Sequence, residues 1–336
     1  MIHEKAPTQQ KIDSVDWKKS LQNAFSNWQD LAAYLEIPLN AVNISNRKHF
    51  AMRIPLSFAK RMEKSNLKDP LLAQVLPLQL EHSSPSRFSS DPLDEASFSP
   101  YPGLLHKYKN RVLLITHPAC AVHCRYCFRR EFDYKTHQQS KDNWQDVFSY
   151  INAHPEIDEV ILSGGDPLMH NDSYLAYFVE NLSKIAHLKR FRIHSRIPIV
   201  LPERITKELI KTLSRTHLQK ILVLHMNHPN EIANDVITAI SALKAAGFTL
   251  LNQSTLLKGV NDSVAILKKL SESLFMHGII PYYLHVLDQV TGSAHFAITD
   301  NEAIALHNKL KAETSGYLVP KLTRELAHEP AKTWLI

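Results

Sequence analysis

After residue 110 the sequence alternates strand-like and helix-like segments six times, and that alternation restricts the fold more than any other feature. The strand-like runs are RVLLIT (111 to 116), EVILSG (159 to 164), RFRIHS (190 to 195), KILVLH (220 to 225), FTLLNQ (248 to 253) and IIPYYLHVL (279 to 287). Between them, apolar residues recur at helical spacing: Trp144, Val147, Phe148 and Ile151; Leu175, Phe178, Leu182 and Ile185; Ile232, Val236, Ile240 and Leu243. Gly247 and Gly278 stand where helix C-terminal caps are expected, and Thr299 with Glu302 forms a capping box for the last helix. Six such units without a recognisable seventh or eighth predict an α/β fold, a partial, open (β/α)6 barrel. Its chemistry belongs at the strand carboxyl ends, where loops vary without breaking the core.

Upstream, Trp17, Leu21, Trp28, Leu31 and Leu35 keep a helical spacing that Pro38 stops, and a second helical piece is expected through Met52 to Met62, starting near Pro55. From Pro70 to Pro102 there are six prolines, and EHSSPSRFSSDPLDEASFSP is rich in serine, which predicts an irregular connector wrapping the main domain. The expected organisation is a helical N-terminal region over 1–69, a connector over 70–105, the barrel over 106–313 and a C-terminal segment over 314–336. With 44% hydrophobic residues, a chain of 336 can bury a large core. No run of roughly 18 apolar residues is present, and MIHEKAPTQQ lacks the apolar stretch of a signal peptide, so a cytoplasmic protein without a membrane role is expected. The net charge of +6 is spread along the chain, which gives a nucleic-acid partner little support and suits anionic small ligands at most.

All three cysteines, Cys120, Cys124 and Cys127, fall within CAVHCRYC, directly after the first predicted strand. Three cysteines in eight residues exclude a disulfide framework and point to a metal site. A cubane 4Fe-4S cluster normally takes four thiolates, and there is no fourth cysteine, so one iron would stay open to an exogenous ligand. The alternatives are a structural zinc site completed by His123 or another histidine, and three unpaired buried cysteines.

The C-x3-C-x-aromatic-C loop, with Tyr126 before the last cysteine, resembles the radical S-adenosylmethionine superfamily residue for residue. There the open iron chelates S-adenosylmethionine, whose reductive cleavage releases a 5′-deoxyadenosyl radical able to remove hydrogen from an unactivated C–H bond. SGGDPL (163 to 168) sits where the superfamily has a GGE-like segment, which implies that Gly164, Gly165 and Asp166 meet the amino group of S-adenosylmethionine. Taken alone, the segment is a turn.

Further strings, YCFRR, IHSRIPIVLPERIT, HMNHPNE, LLNQSTLLKGVND, PYYLHVLD and TSGYLVPK, are similar to the lysine 2,3-aminomutase family from about Tyr108 to Lys332. The resemblance implies pyridoxal 5′-phosphate as a further cofactor, carrying the difficult chemistry while the protein positions it. It places the cofactor lysine at Lys332, by an ungapped match from Thr314, although His328-Glu329-Pro330-Ala331 replaces the family's glycine-rich run. Lys321 is the competitor. Arg111 and His225 fall at family positions beside the pyridoxal ring, and Arg129 matches the arginine that grips the substrate carboxylate; its neighbour Arg130 reads as a surface charge. Asp288 and Glu325 match two carboxylates that hold the distal ammonium of lysine, the second being aspartate in the family. The implied activity is conversion of L-lysine to (R)-β-lysine, with an external electron donor. The short form resembles bacterial members whose product is attached to elongation factor P by a ligase. A homo-oligomer is compatible with this reading.

Other readings remain open: an aminomutase for arginine, ornithine or glutamate, a non-catalytic iron-sulfur redox protein, or a zinc-binding interaction module. Two carboxylates near the side-chain end would repel glutamate.

Overall fold

The computed structural model describes residues 16–45, 50–134, 136–137, 140 and 143–335. Four short N-terminal helices come first: α1 (Trp17–Gln22), α2 (Trp28–Leu35), α3 (Leu56–Ala59) and α4 (Pro70–Ala73). A single helix expected across Trp17 to Leu35 is thus broken in two. Asn23 closes α1, Asn27 caps α2 by accepting from the Asp30 N–H, and between them Phe25 pairs with Ile54 in an isolated bridge. The bridge withdraws Phe25 from the helix, and the Met52 to Met62 piece shrinks to the one turn of α3.

The main body has nine strands in simple sequence order: β1 (Leu104–Tyr108), β2 (Arg111–His117), β3 (Glu159–Gly164), β4 (Arg190–Ser195), β5 (Gln219–His225), β6 (Thr249–Leu256), β7 (Ile280–Val286), β8 (Lys321–Arg324) and β9 (Thr333–Trp334). All six expected strands are present and pair in parallel, with α5 (Asn143–Ala153), α6 (Asp172–Ser183), α7 (Ile197–Val200), α8 (Lys207–Leu213), α9 (Asn234–Ala245) and α10 (Val264–Met276) in the connections. After α11 (Asp300–Glu313), β8 adds a seventh parallel strand that the sequence does not announce, because KLTR is too short to show a period. At the edges β1 and β9 run antiparallel, and the sheet stays open as a partial barrel.

Packing follows from the sequence pattern. The helical faces carrying Trp144, Val147, Phe148, Ile151, Leu175, Phe178 and Leu182 are buried against the sheet, with the Trp144 and Phe178 rings 5.0 Å apart, edge to face. Each such side chain contributes about 1.5–3 kcal/mol on full burial. β3 is buried along its whole length, as expected of a strand with helices on one face and the barrel interior on the other. The N-terminal helices join the same core through Trp28, Leu31, Leu35, Phe58, Leu71 and Leu72. The expected capping box at Thr299 and Glu302 forms, and α9 and α10 end beside left-handed Gly247 and Gly278.

Candidate active site

The parallel strands direct their carboxyl ends into one cavity of about 460 Å³. The loop after β2 brings Cys120, Cys124, Cys127 and Arg129, and the turn after β3 brings Gly164, Gly165 and Asp166. His225 ends β5, Asp288 follows β7, and Glu325 follows β8. Lys332 enters from the residue before β9. Arg111 comes from the opposite, amino end of β2, with its guanidinium 4.0 Å from the centre of the Tyr108 ring. Every residue assigned to the site from sequence therefore lines the same space. Lys321 does not: it is exposed, with its ammonium 4.4 Å above the Trp334 ring.

The cysteine loop is held from below by the connector. Fully buried Glu81 accepts from Arg125 Nε at 2.8 Å and from Arg130 Nη2 at 2.6 Å, and both guanidiniums flank the Phe50 ring. Arg130, expected on the surface, is instead buried, because its charge is needed beside Glu81. The Arg125 backbone N–H donates to the Gln74 carbonyl at 2.8 Å. Arg196, buried at the end of β4, donates from Nη1 to Cys124 Sγ at 2.7 Å and to the Tyr126 hydroxyl at 2.8 Å. Its Nη2 reaches Gln74 Oε1 at 2.6 Å and Glu231 Oε2 at 3.0 Å.

Burial pushes the Cys120 thiol well above its ordinary range and Cys127 to about 11, so in this dry loop a bound cation is what would hold them as thiolates. Among the described residues, no three His, Cys, Asp or Glu side chains converge closely enough for a single metal ion. His123 Nδ1 is engaged with the Ala51 carbonyl at 2.6 Å and its ring stacks on Phe50. His123 does not line the cavity that Cys120, Cys124 and Cys127 line, which weighs against its completing a zinc site with them. Three thiols and no fourth suit a cluster with one open iron.

Gly164 and Gly165 stitch the second loop to the first. Gly165 N–H donates to the His117 carbonyl at 2.6 Å and Asp166 N–H to the Ala119 carbonyl at 3.0 Å, next to Cys120. A Cβ on Gly165 would lie 2.5 Å from the Ala119 oxygen, and Gly164 combines a φ of +121° with 2.7 Å to the His117 oxygen. The Asp166 carboxylate accepts from the Leu168 and Arg196 N–H groups and the Ser195 hydroxyl, joining the ends of β3 and β4. Burial nevertheless pushes it up to about 6.

At the far end, the β8–β9 pairing of Arg324 with Thr333 sets Glu325 beside Lys332. Glu325 accepts from Lys332, from the Tyr108 hydroxyl and from Lys107 at 2.5 Å. Burial would raise its pKa, but the two ammonium groups and Tyr108 outweigh this and hold it below the usual range. Asp288 differs. Its carboxylate makes no hydrogen bond to the described residues, and burial, reinforced by Glu325 and opposed by Lys332, pushes it to about 7. The two acids therefore have unlike surroundings: one is saturated by the protein, the other is free for a ligand.

Sequence reasoning missed several neighbours. His194 and His285 join His225 in the wall, and burial keeps all three imidazoles neutral, with His225 pushed down to about 3. His225 Nε2 lies 2.8 Å from the Tyr126 hydroxyl, whereas His194 Nε2 has no hydrogen-bond partner among the described residues. Arg196, His194 and His285 stood at strand ends, where a search was possible; Gln74, Glu81 and Glu95 carry no local signal in the connector.

Comparisons with known proteins agree with this geometry. The radical SAM superfamily model matches residues 114–270. The chain is 49% identical over 320 residues to the L-lysine 2,3-aminomutase of Haemophilus influenzae, covering 95% of each protein. It is 50% identical over 321 residues to that of Escherichia coli K12, covering 95% of this chain and 94% of the relative. The protein of the same name from Clostridium subterminale is 36% identical over 314 residues, which are 91% of this chain and 74% of that one. A chain alike over nearly its whole length, with three cysteines and the matched lysine in one cavity, belongs to the lysine 2,3-aminomutase family of the radical SAM superfamily.

Proposed function

We propose that this protein is an L-lysine 2,3-aminomutase that converts L-lysine to (R)-β-lysine, using a 4Fe-4S cluster, S-adenosylmethionine and pyridoxal phosphate. The observation that carries the reading is the union, in a single cavity, of a cluster-type cysteine loop, a buried arginine, an unpartnered carboxylate and a lysine. Cys120, Cys124 and Cys127 would hold the cluster, and Gly164, Gly165 and Asp166, stitched to their loop, would meet the amino group of S-adenosylmethionine. When bound, the cluster would supply an electron and S-adenosylmethionine a radical. Pyridoxal phosphate would supply an electrophilic carbon for the substrate nitrogen and an extended π-system.

This chain's own residues place the substrate. Lys332 presents the amine that would hold pyridoxal phosphate, and Glu325, itself held by Lys107 and Tyr108, keeps that amine at the cavity edge. Arg111 and neutral His225 flank the ring position. Arg129 takes the substrate carboxylate, and Asp288 takes the distal ammonium. Because Glu325 is already satisfied by three protein donors, Asp288 is the principal acceptor, which favours a cationic side chain over glutamate. The neutral histidines keep competing positive charge away from that ammonium. An external donor reduces the cluster, in a cytoplasmic setting; among the described residues no helix is long and apolar enough to cross a membrane. The product is passed to a ligase for elongation factor P, a reading supported by the likeness to short relatives along nearly their full length.

The test is anaerobic incubation of reduced, cluster-reconstituted protein with S-adenosylmethionine, pyridoxal phosphate and L-lysine, followed by mass-spectrometric separation of α- and β-lysine. β-Lysine that disappears with Cys124→Ala supports the reading. Cleavage of S-adenosylmethionine without β-lysine removes lysine as substrate, and no cleavage leaves the redox-protein reading.

A further inference from the structure

Arg129 is only 6% exposed, and its guanidinium is already occupied. Nε and Nη2 donate to the two oxygens of Glu95 at 2.8 and 2.6 Å, the paired geometry a guanidinium offers to a ligand carboxylate. Nη1 donates to Ser163 Oγ at 3.1 Å and to the Gly164 carbonyl at 3.4 Å. Four of the five N–H groups are therefore in use, and the one left on Nη2 cannot hold a carboxylate at two points. A ligand carboxylate must replace one of these partners.

The partners differ in how far they can yield. Ser163 and Gly164 end β3, their backbones fixed by pairing to β2. Glu95 instead opens one 3-10 turn, Glu95–Phe98, in the connector. Its neighbours are held by side-chain contacts rather than by a strand ladder: Asp94 lies 3.2 Å from His328, the Phe98 and His328 rings are 5.6 Å apart, and the Lys107 ammonium is 5.7 Å from the Phe98 ring. Glu95 is also the chemically equivalent partner, since exchanging carboxylate for carboxylate leaves the buried guanidinium paired throughout.

We propose that Glu95 is a resident stand-in for the substrate carboxylate, holding Arg129 while the cavity is empty and leaving it when an α-amino acid binds. This rests on the assignment of Arg129 to the substrate carboxylate. Two properties follow. The exchange lowers affinity, because a two-point grip on Arg129 must replace at least one bond already made. It also links the two ends of the cavity, because the turn that must move touches His328, four residues before Lys332.

Glu95→Gln weakens the competing partner while keeping its shape. The KM for L-lysine is expected to fall about tenfold with kcat little changed, an exchange penalty of about 1.4 kcal/mol. Glu95→Asp, which keeps the charge on a shorter side chain, gives a smaller fall and guards against a variant that fails to fold. In the cofactor-loaded wild-type protein, L-lysine is expected to speed amide hydrogen exchange across residues 93–98, and lysinol, which lacks the carboxylate, is not. A KM that rises in Glu95→Gln as it does in Arg129→Gln, or exchange unchanged by L-lysine despite turnover, overturns the proposal and makes Glu95 a group that orients Arg129. If L-lysine is not turned over at all, the lysine reading fails instead. The exchange experiment with L-arginine and L-ornithine then decides the fate of Glu95.

Discussion

At one end of the cavity the cysteine loop rests on Glu81, Arg125 and Arg130, all fully buried and tied to the connector; at the other, Lys332 sits 23% exposed beside a two-residue strand. The charges at the first end have no route to solvent, so they fix a loop once and for all. Those at the second, Glu325, Lys107 and Lys332, are partly wet and can exchange partners. A cluster must be held rigidly. On the proposed function Lys332 joins and leaves a cofactor and must be mobile, and the two constructions match those two needs.

The largest effect that would break this contrast is at Glu81. Glu81→Gln removes the carboxylate shared by two buried guanidiniums, leaving a neutral amide oxygen, backbone carbonyls and, for Arg130, Glu131 at 3.7 Å, and is expected to cost about 3–5 kcal/mol in denaturant unfolding together with most of the bound iron. A loss under about 1 kcal/mol would mean that the cysteine loop does not depend on the connector. Next comes Lys332→Ala. It should abolish β-lysine formation and the visible absorbance of bound pyridoxal phosphate while leaving stability within about 1 kcal/mol of wild type, because the side chain is partly wet. If Lys321→Ala has that spectroscopic effect instead, the cofactor lysine is misassigned.

Asp288→Asn sharpens the comparison within the second end. Loss of a charged acceptor should lower kcat/KM for L-lysine about 10- to 100-fold. Asp288 is pushed to about 7, so its carboxylate form grows as pH rises through that value. The lysine ammonium stays protonated there, and kcat/KM should climb from pH 6 to pH 8 in wild type, by about tenfold, and stay flat in Asp288→Asn. Smallest is Lys321→Ala, which removes only the exposed contact with Trp334 and should change stability by about 0.5–1 kcal/mol and activity not at all.

Legibility in the sequence followed the range of the interactions. The six strands, their helices and the cysteine loop were readable because strand period, capping and C-x3-C-x2-C spacing are local properties. β8 and β9 were not, since strands of four and two residues carry no period, and neither was the break between α1 and α2, which answers to the distant pairing of Phe25 with Ile54. The cofactor role proposed for Lys332 rests on resemblance, since no local pattern around it marks a cofactor site; the structure adds that it lines the cavity. Arg130 misled because a charged residue usually faces water, and its partner Glu81 lies 49 residues earlier. The connector read as a wrapping, yet it supplies Gln74, Glu81 and Glu95 to the site, in contacts that no local pattern encodes.

The central claim is that both ends of the cavity act on one substrate molecule. L-Lysine deuterated at C3, incubated anaerobically with the reduced, cofactor-loaded protein and S-adenosylmethionine, tests it most directly. The account predicts deuterium in the recovered 5′-deoxyadenosine and in β-lysine formed alongside it. Cleavage of S-adenosylmethionine with no deuterium in 5′-deoxyadenosine would contradict it, because the radical would then be made at the cysteine end without reaching a substrate held by Arg129, Asp288 and Lys332.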